Sequence, residues 1–138
     1  MAISKPSRII IDTNLWISFI ISNRLVALDS LLVDNDVRLL FSPELWAEII
    51  QTSSKPGLKK YFKGDTLKEM LFVFEPFMEL VEIRTEITIC RDPKDNFLLA
   101  LAIDGKADYL LTGDKDLLSL SRIGKTRILT ISEFLKLS

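Results

Sequence analysis

The run Arg8-Ile9-Ile10-Ile11-Asp12 narrows the architectures open to this chain more than any other stretch. Consecutive β-branched residues without polar alternation suit a strand buried on both faces, as in the interior of a parallel sheet. Asp12 follows at the carboxyl end of that strand, where the loops of an open α/β sheet form the ligand-binding crevice. A single Asp at this point also has an ordinary use as the N-cap of the next helix, so a structural and a chemical reading stand side by side.

The rest of the chain alternates helical and extended patterns with short connections. Leu25 to Leu32 repeats apolar residues at helical spacing and ends at Asp34-Asn35-Asp36. Val37 to Phe41 reads as a second strand, and Ser42-Pro43 as an N-cap with Pro at the first helical position. The helix that follows turns Leu45, Trp46, Ile49 and Ile50 to its apolar face. Lys55-Pro56-Gly57 breaks the pattern before a helix from Asp65 to Phe74, whose end Pro76 disturbs, and Leu80 to Ile83 resumes as a short strand. Asp92-Pro93-Lys94-Asp95 opens a helix from Asn96 to Asp104 that Gly105 closes. Ala107 to Thr112 is a further buried strand, leading into Gly113-Asp114-Lys115-Asp116. A last strand, Arg127 to Ile131, precedes a terminal helix from about Ser132. Strands alternating with helices of this length predict an α/β fold, a three-layer α/β/α sandwich around a central parallel sheet. With 138 residues, the expectation is a single domain over residues 1–138.

The chain has no histidine and one cysteine, Cys90. Ser-His-Asp and Cys-His catalysis and His- or thiolate-based metal sites are thereby excluded within this chain. Any chemistry falls to carboxylates, acting as acid and base or holding a hard, oxygen-seeking cation. No apolar run approaches the roughly 18 residues of a membrane span, and the N-terminus lacks a signal-peptide layout. No membrane association and a cytoplasmic location are expected.

On a parallel sheet, Asp12, Asp92, Asp95 and Asp114 all fall at one end, and Glu48, one turn into its helix at the border of the apolar face, can lean toward the same place. Each acid taken alone reads as a helix cap. Capping does not explain why they gather. Carboxylates converging in a crevice repel one another and raise each other's pKa unless a divalent cation neutralises them.

Four segments in order carry a resemblance: Asp12-Thr13-Asn14 after the first strand; Ser42-Pro43-Glu44-Leu45-Trp46-Ala47-Glu48-Ile49; Asp92-Pro93-Lys94-Asp95-Asn96-Phe97; and Ala107-Asp108-Tyr109-Leu110-Leu111-Thr112-Gly113-Asp114-Lys115-Asp116. Together they are similar to a PIN domain, of the group of toxin components of toxin–antitoxin pairs, over nearly the whole chain. The resemblance implies a divalent-metal-dependent endoribonuclease using Mg²⁺ or Mn²⁺. It implies Asp12, Glu48, Asp95 and Asp114 as catalytic carboxylates, with Asp12, Asp95 and Asp114 as metal ligands and Asp116 as a further one. Asp92 matches the pattern less well than Asp95. Thr13, Asn14, Ser42 and Thr112 match polar residues that shape such sites. It also implies RNA, single-stranded or structured, as substrate and an antitoxin protein as partner.

Net charge of −1 is no basic footprint, yet setting the four carboxylates aside turns the balance positive. Lys55, Lys59, Lys60 and Lys63, with Tyr61 and Phe62 among them, are candidates for gripping a single strand by phosphate pairing and stacking; the alternative is a solvated lysine face over core aromatics. Arg84, Arg91 and Lys94 are further phosphate candidates, and Leu25, Leu28, Phe72 and Phe74 are candidates for a homodimer face or for core. An aspartyl-phosphate phosphatase would place a second Asp at position 14, which is Asn, and a receiver domain would need an N-terminal acidic pair. The remaining alternative is a catalytically silent RNA-binding or protein-interaction module on a PIN fold.

Overall fold

The buried isoleucines do form a central strand. The computed structural model describes residues 6–22, 28, 32–34, 36–88 and 95–137. Strand β1 (Ser7–Ile11) is followed by α1 (Thr13–Ile21), β2 (Val37–Phe41) and α2 (Pro43–Ser53). After a 3-10 turn at Lys59–Tyr61 come α3 (Thr66–Phe74), a second 3-10 turn at Glu75–Phe77 that accommodates Pro76, and β3 (Met78–Leu80). The remaining elements are α4 (Asn96–Asp104), β4 (Tyr109–Leu111), α5 (Lys115–Leu118), β5 (Arg122–Ile123), β6 (Thr126–Leu129) and α6 (Ile131–Leu135).

The strands make a six-stranded sheet of order β3-β2-β1-β4-β6-β5 among the described residues. Every pairing is parallel except β5 with β6. Ile9, Ile10 and Ile11 are each 1% exposed or less, as a strand covered on both faces requires. Trp16 in α1 meets Phe41 and Phe74 with ring centroids 5.5 Å away in each case, locking α1 and α3 to the end of β2. Among the described residues no helix is long and apolar enough to cross a membrane.

Several boundaries depart from expectation for local reasons. The third strand is Met78–Leu80 rather than Leu80 to Ile83. Leu39 pairs with Met78 and Phe41 with Leu80, and the Val81 N–H donates to the Phe41 carbonyl at 2.7 Å as the last rung. Beyond it β2 has already turned into α2, so Glu82 and Ile83 have no strand to pair with. That segment is pinned instead by Asp104, whose carboxylate accepts the backbone N–H groups of Arg84 (2.6 Å) and Thr85 (2.9 Å) and the Thr85 hydroxyl (2.6 Å). The last strand stops at Leu129, since Thr130 begins a reciprocal capping box with Glu133. The two-residue strand β5 was not expected; Gly124, at φ 56°, turns it back on β6.

Ile50 is 42% exposed rather than part of the apolar face of α2, which Leu45 and Ile49 supply fully buried. Of the residues weighed for a dimer face, Leu28 and Phe74 are core and Phe72 is 79% exposed, while Leu25 lies outside the described residues. The helical pattern over Leu25 to Leu32 also lies largely outside them.

Gly105 closes α4, but not by a left-handed turn. Its φ is −85°, and Lys106, at φ 52°, takes the left-handed position. Glycine is required at 105 for space: a Cβ there would lie 2.8 Å from Leu40 Cδ1 and 2.9 Å from the Leu101 carbonyl oxygen.

Candidate active site

Because five of the six strands run parallel, their carboxyl ends share one edge, and Asp12, Ser42, Val81, Thr112 and Thr130 are the residues that leave it. Asp12 extends the β1 ladder by one bond, its N–H donating to the Leu111 carbonyl at 3.1 Å. It then caps α1, with Oδ1 accepting the Leu15 N–H at 2.8 Å. Its other oxygen, Oδ2, accepts from the hydroxyl of Thr112. The capping reading of this residue is met by one oxygen, and the other is held by Thr112.

Asp12 is 4% exposed. Burial pushes its carboxyl above the usual carboxylate range; the bonds from Thr112 and Leu15 oppose the shift, and the neighbouring Asp114 charge adds to it. The amino end of α1 favours the anion in the same place.

Thr112 is 1% exposed and occupied at both ends. Besides donating to Asp12, its Oγ accepts the Asp114 N–H at 3.0 Å, and its own N–H continues the sheet to the Leu129 carbonyl at 2.9 Å. Asp114 caps α5, with Oδ1 accepting the Asp116 N–H at 2.8 Å. Glu48 projects half-buried from the second turn of α2. Ser42, fully buried, accepts the Leu45 N–H at 3.1 Å and so fixes where α2, and with it Glu48, begins. Asp95 stands half-buried at the entry to α4, where its side chain makes no N-cap bond to that helix.

These elements bring the four expected carboxylates to one place. Asp12, Glu48, Asp95 and Asp114 line a cleft of about 40 Å³ together with Thr13, Asn14, Phe97 and Leu98. The two apolar residues were not anticipated; their position directly after Asp95-Asn96, in the first turn of α4, was the available signal. Asp116 is not among the lining residues, and its backbone serves Asp114 instead. Asp92, Arg91 and Lys94 lie outside the described residues.

The donor set is made only of carboxylates, the chemistry of a site for a hard divalent cation. Among the described residues, however, no three acidic, cysteine or histidine side chains are grouped closely enough to hold a metal ion. The fit lies in donor type and convergence on one cleft.

The lysine-rich segment lies apart from the cleft lining. Lys55, Lys59, Lys60 and Lys63 are exposed, Phe62 packs against the core, and Tyr61 is 41% exposed with the Lys60 ammonium 5.2 Å from its ring centroid. Arg84 is exposed and bonded to Glu82 at 3.0 Å.

Residues 8–116 match the sequence model of the family described as PIN domain. An uncharacterised protein of Methanocaldococcus jannaschii is 30% identical to the chain over 116 residues, covering 82% of this chain and 74% of that protein.

Proposed function

The chain belongs to the PIN domain family, a nuclease-type fold, and from that premise we propose that it is a divalent-metal-dependent endoribonuclease acting as the toxin of a toxin–antitoxin pair. The observation that carries the enzymatic reading is the convergence of Asp12, Glu48, Asp95 and Asp114 on one cleft at the carboxyl edge of the sheet. In this reading Asp12, Asp95 and Asp114 would hold Mg²⁺ or Mn²⁺, with Asp116 as a further ligand. A bound ion of this kind makes its water a better nucleophile and stabilises the leaving oxygen.

The chain's own groups do the rest. The Leu15 N–H and the Thr112 hydroxyl fix both oxygens of Asp12 in one orientation, so that the most buried acid keeps a defined position. Glu48 accepts the proton of the attacking water. The water oxygen bonds to phosphorus, the bond from phosphorus to O3′ breaks with its electron pair left on O3′, which takes a proton from solvent, and the products carry a 5′-phosphate and a 3′-hydroxyl. Lys55, Lys59, Lys60 and Lys63 hold the strand through its phosphates while Tyr61 offers an exposed ring for stacking. An antitoxin would block the same cleft, a basic side chain among the carboxylates being the simplest match of charge.

One observation favours the silent-module reading: no three of the acids are close enough to grip an ion among the described residues. The two readings separate when purified protein and the Asp12→Asn variant are incubated with end-labelled single-stranded RNA in Mn²⁺, Mg²⁺ or EDTA. Cleavage that needs metal and is lost in the variant supports the nuclease. Intact RNA across varied sequences, with RNA bound by the folded protein, overturns it in favour of the binding module.

A further inference from the structure

The opposite edge of the sheet carries the opposite charge. At the amino ends of β1, β4 and β6 lies a hollow of about 720 Å³ bordered by Arg8, Lys106, Asp108, Tyr109, Lys125 and Arg127. Two of these groups are already committed to the fold. The Arg8 guanidinium donates to both oxygens of Glu79, at 3.0 and 2.5 Å, and to the Gly105 carbonyl at 2.9 Å. Asp108 accepts the Arg8 backbone N–H at 2.8 Å. Lys106, Lys125 and Arg127 have no salt bridge among the described residues; Glu133 acts on Arg127 only from beyond ion-pair distance. With Arg8 paired to Glu79, three cations face one concavity against the single carboxylate of Asp108, an excess of positive charge that suits an anionic ligand.

Backbone conformation points to the same place. Lys106 is the left-handed residue of a Schellman turn: its N–H donates to the Ile103 carbonyl at 3.2 Å and the Ala107 N–H to the Ala102 carbonyl at 2.9 Å. Glycine adopts this conformation without strain. The chain instead places there a residue with a Cβ and a cationic head at the rim of the hollow.

A third feature narrows the ligand. Lys106 and Lys125 also border an adjoining recess of about 390 Å³, whose wall includes Ile103, Ile123, Gly124 and Thr126. The two lysines thus stand between a cationic pocket and a largely aliphatic one. Both volumes lie in the range of small-molecule sites, and an Arg fork with two ammonium groups suits a phosphate.

We infer that this edge binds a nucleoside monophosphate, its phosphate among Lys106, Lys125 and Arg127 and its base in the recess between Ile103 and Ile123. The inference uses none of the carboxylates of the cleft and stands apart from the ribonuclease reading.

The test is calorimetric titration of the full chain, in EDTA at low salt, with adenosine monophosphate, inorganic phosphate and adenosine. Adenosine monophosphate should bind more tightly than phosphate, adenosine should not bind detectably, and the affinity should fall as salt is raised. Arg127→Gln and Lys106→Gly should each weaken binding by about tenfold or more, the loss of one charged hydrogen bond. Lys106→Gly removes the cation and the backbone strain together, so it should melt no lower than the wild type, which separates lost binding from lost folding. No binding of adenosine monophosphate up to about 10 mM, well above the range of useful small-molecule affinity, overturns the inference. So does inorganic phosphate binding as tightly as the nucleotide, or unchanged affinity in both variants.

Discussion

The hydroxyl of Thr112, at the end of one central strand, donates to the buried carboxylate of Asp12, at the end of its neighbour. Since the same oxygen accepts the Asp114 N–H at 3.0 Å, one side chain orients two of the four acids. Thr112→Val keeps the β-branched shape and removes both bonds. RNA cleavage should fall by about 10- to 100-fold, as expected for a group that positions a ligand, and stability by about 1–3 kcal/mol for the buried partners left unsatisfied. Thr112→Ser should retain most of both. Steady-state cleavage rates beside urea midpoints measure the pair, and a valine variant as active as the wild type would remove Thr112 from the site.

Asp12 should be a stability cost that activity requires. Its folded pKa is raised, chiefly by burial, so the protein loses stability as pH rises from the unfolded value near 3.8 through the higher folded one. Asn at this position has nearly the same shape, still accepts the Leu15 N–H through Oδ1, turns its Nδ2 toward the Thr112 oxygen as a donor in place of the acceptor it replaces, and carries no charge. In EDTA at neutral pH, Asp12→Asn should therefore melt at or above the wild type, with the difference vanishing in acid, while cleavage drops by about a hundredfold or more. Adding Mn²⁺ should stabilise the wild type and not the variant. Thermal melts across pH, with and without the ion, check both statements; a variant less stable at pH 7 in EDTA contradicts the burial argument.

The elements legible in the sequence are those with punctuation at both ends. β2 spans Val37–Phe41 and α4 spans Asn96–Asp104 as expected, because Ser42-Pro43 and Gly105 are unambiguous stops. Position in the chain likewise placed Asp12 and Asp114 beside one cleft, since strand ends on a parallel sheet must coincide, and Glu48 and Asp95 line it from α2 and from the entry to α4. Capping does not remove Asp12 from the cleft: one oxygen caps α1 while the other is held by the Thr112 hydroxyl. What stayed hidden depends on neighbours distant in sequence. The shift of β3 follows from where β2 ends, and the need for glycine at 105 from Leu40 lying against it. The left-handed turn fell on Lys106 because Gly105, the residue expected to take it, is held by that packing.

The Arg8–Glu79 pair should give the fold a small sensitivity to acid. It spans β2, joining β1 to β3, with the guanidinium on both carboxylate oxygens. Its hydrogen bonds hold the Glu79 carboxyl below its ordinary value of 4.5. A lowered carboxylate pKa contributes stability that is present above the unfolded value and lost as pH falls through the folded one. With side-chain exposures of 30% and 42% the pair is screened, and its worth is below about 1 kcal/mol. Glu79→Gln should lower the urea midpoint slightly at pH 7, and by less at 1 M salt and at pH 3. An equal loss at pH 3 would assign the effect to packing rather than charge.

Two adjacent substitutions at the end of α4 should act in opposite directions. Gly105 has a φ of −85°, open to any residue, so replacing it by Ala carries no backbone penalty and would ordinarily stabilise the helix end. Here the added methyl meets Leu40 Cδ1 at 2.8 Å and the Leu101 carbonyl oxygen at 2.9 Å. The leucine can rotate; the helix carbonyl cannot move without lifting α4 from the sheet. Gly105→Ala should therefore destabilise by about 1–3 kcal/mol, whereas Lys106→Gly, relieving a left-handed residue with φ 52°, should be neutral or stabilising by up to about 1 kcal/mol. Urea unfolding of both variants with unchanged m-values measures the contrast. A stabilised Gly105→Ala would mean that α4 does not lie as close to β2 as the Leu40 contact requires.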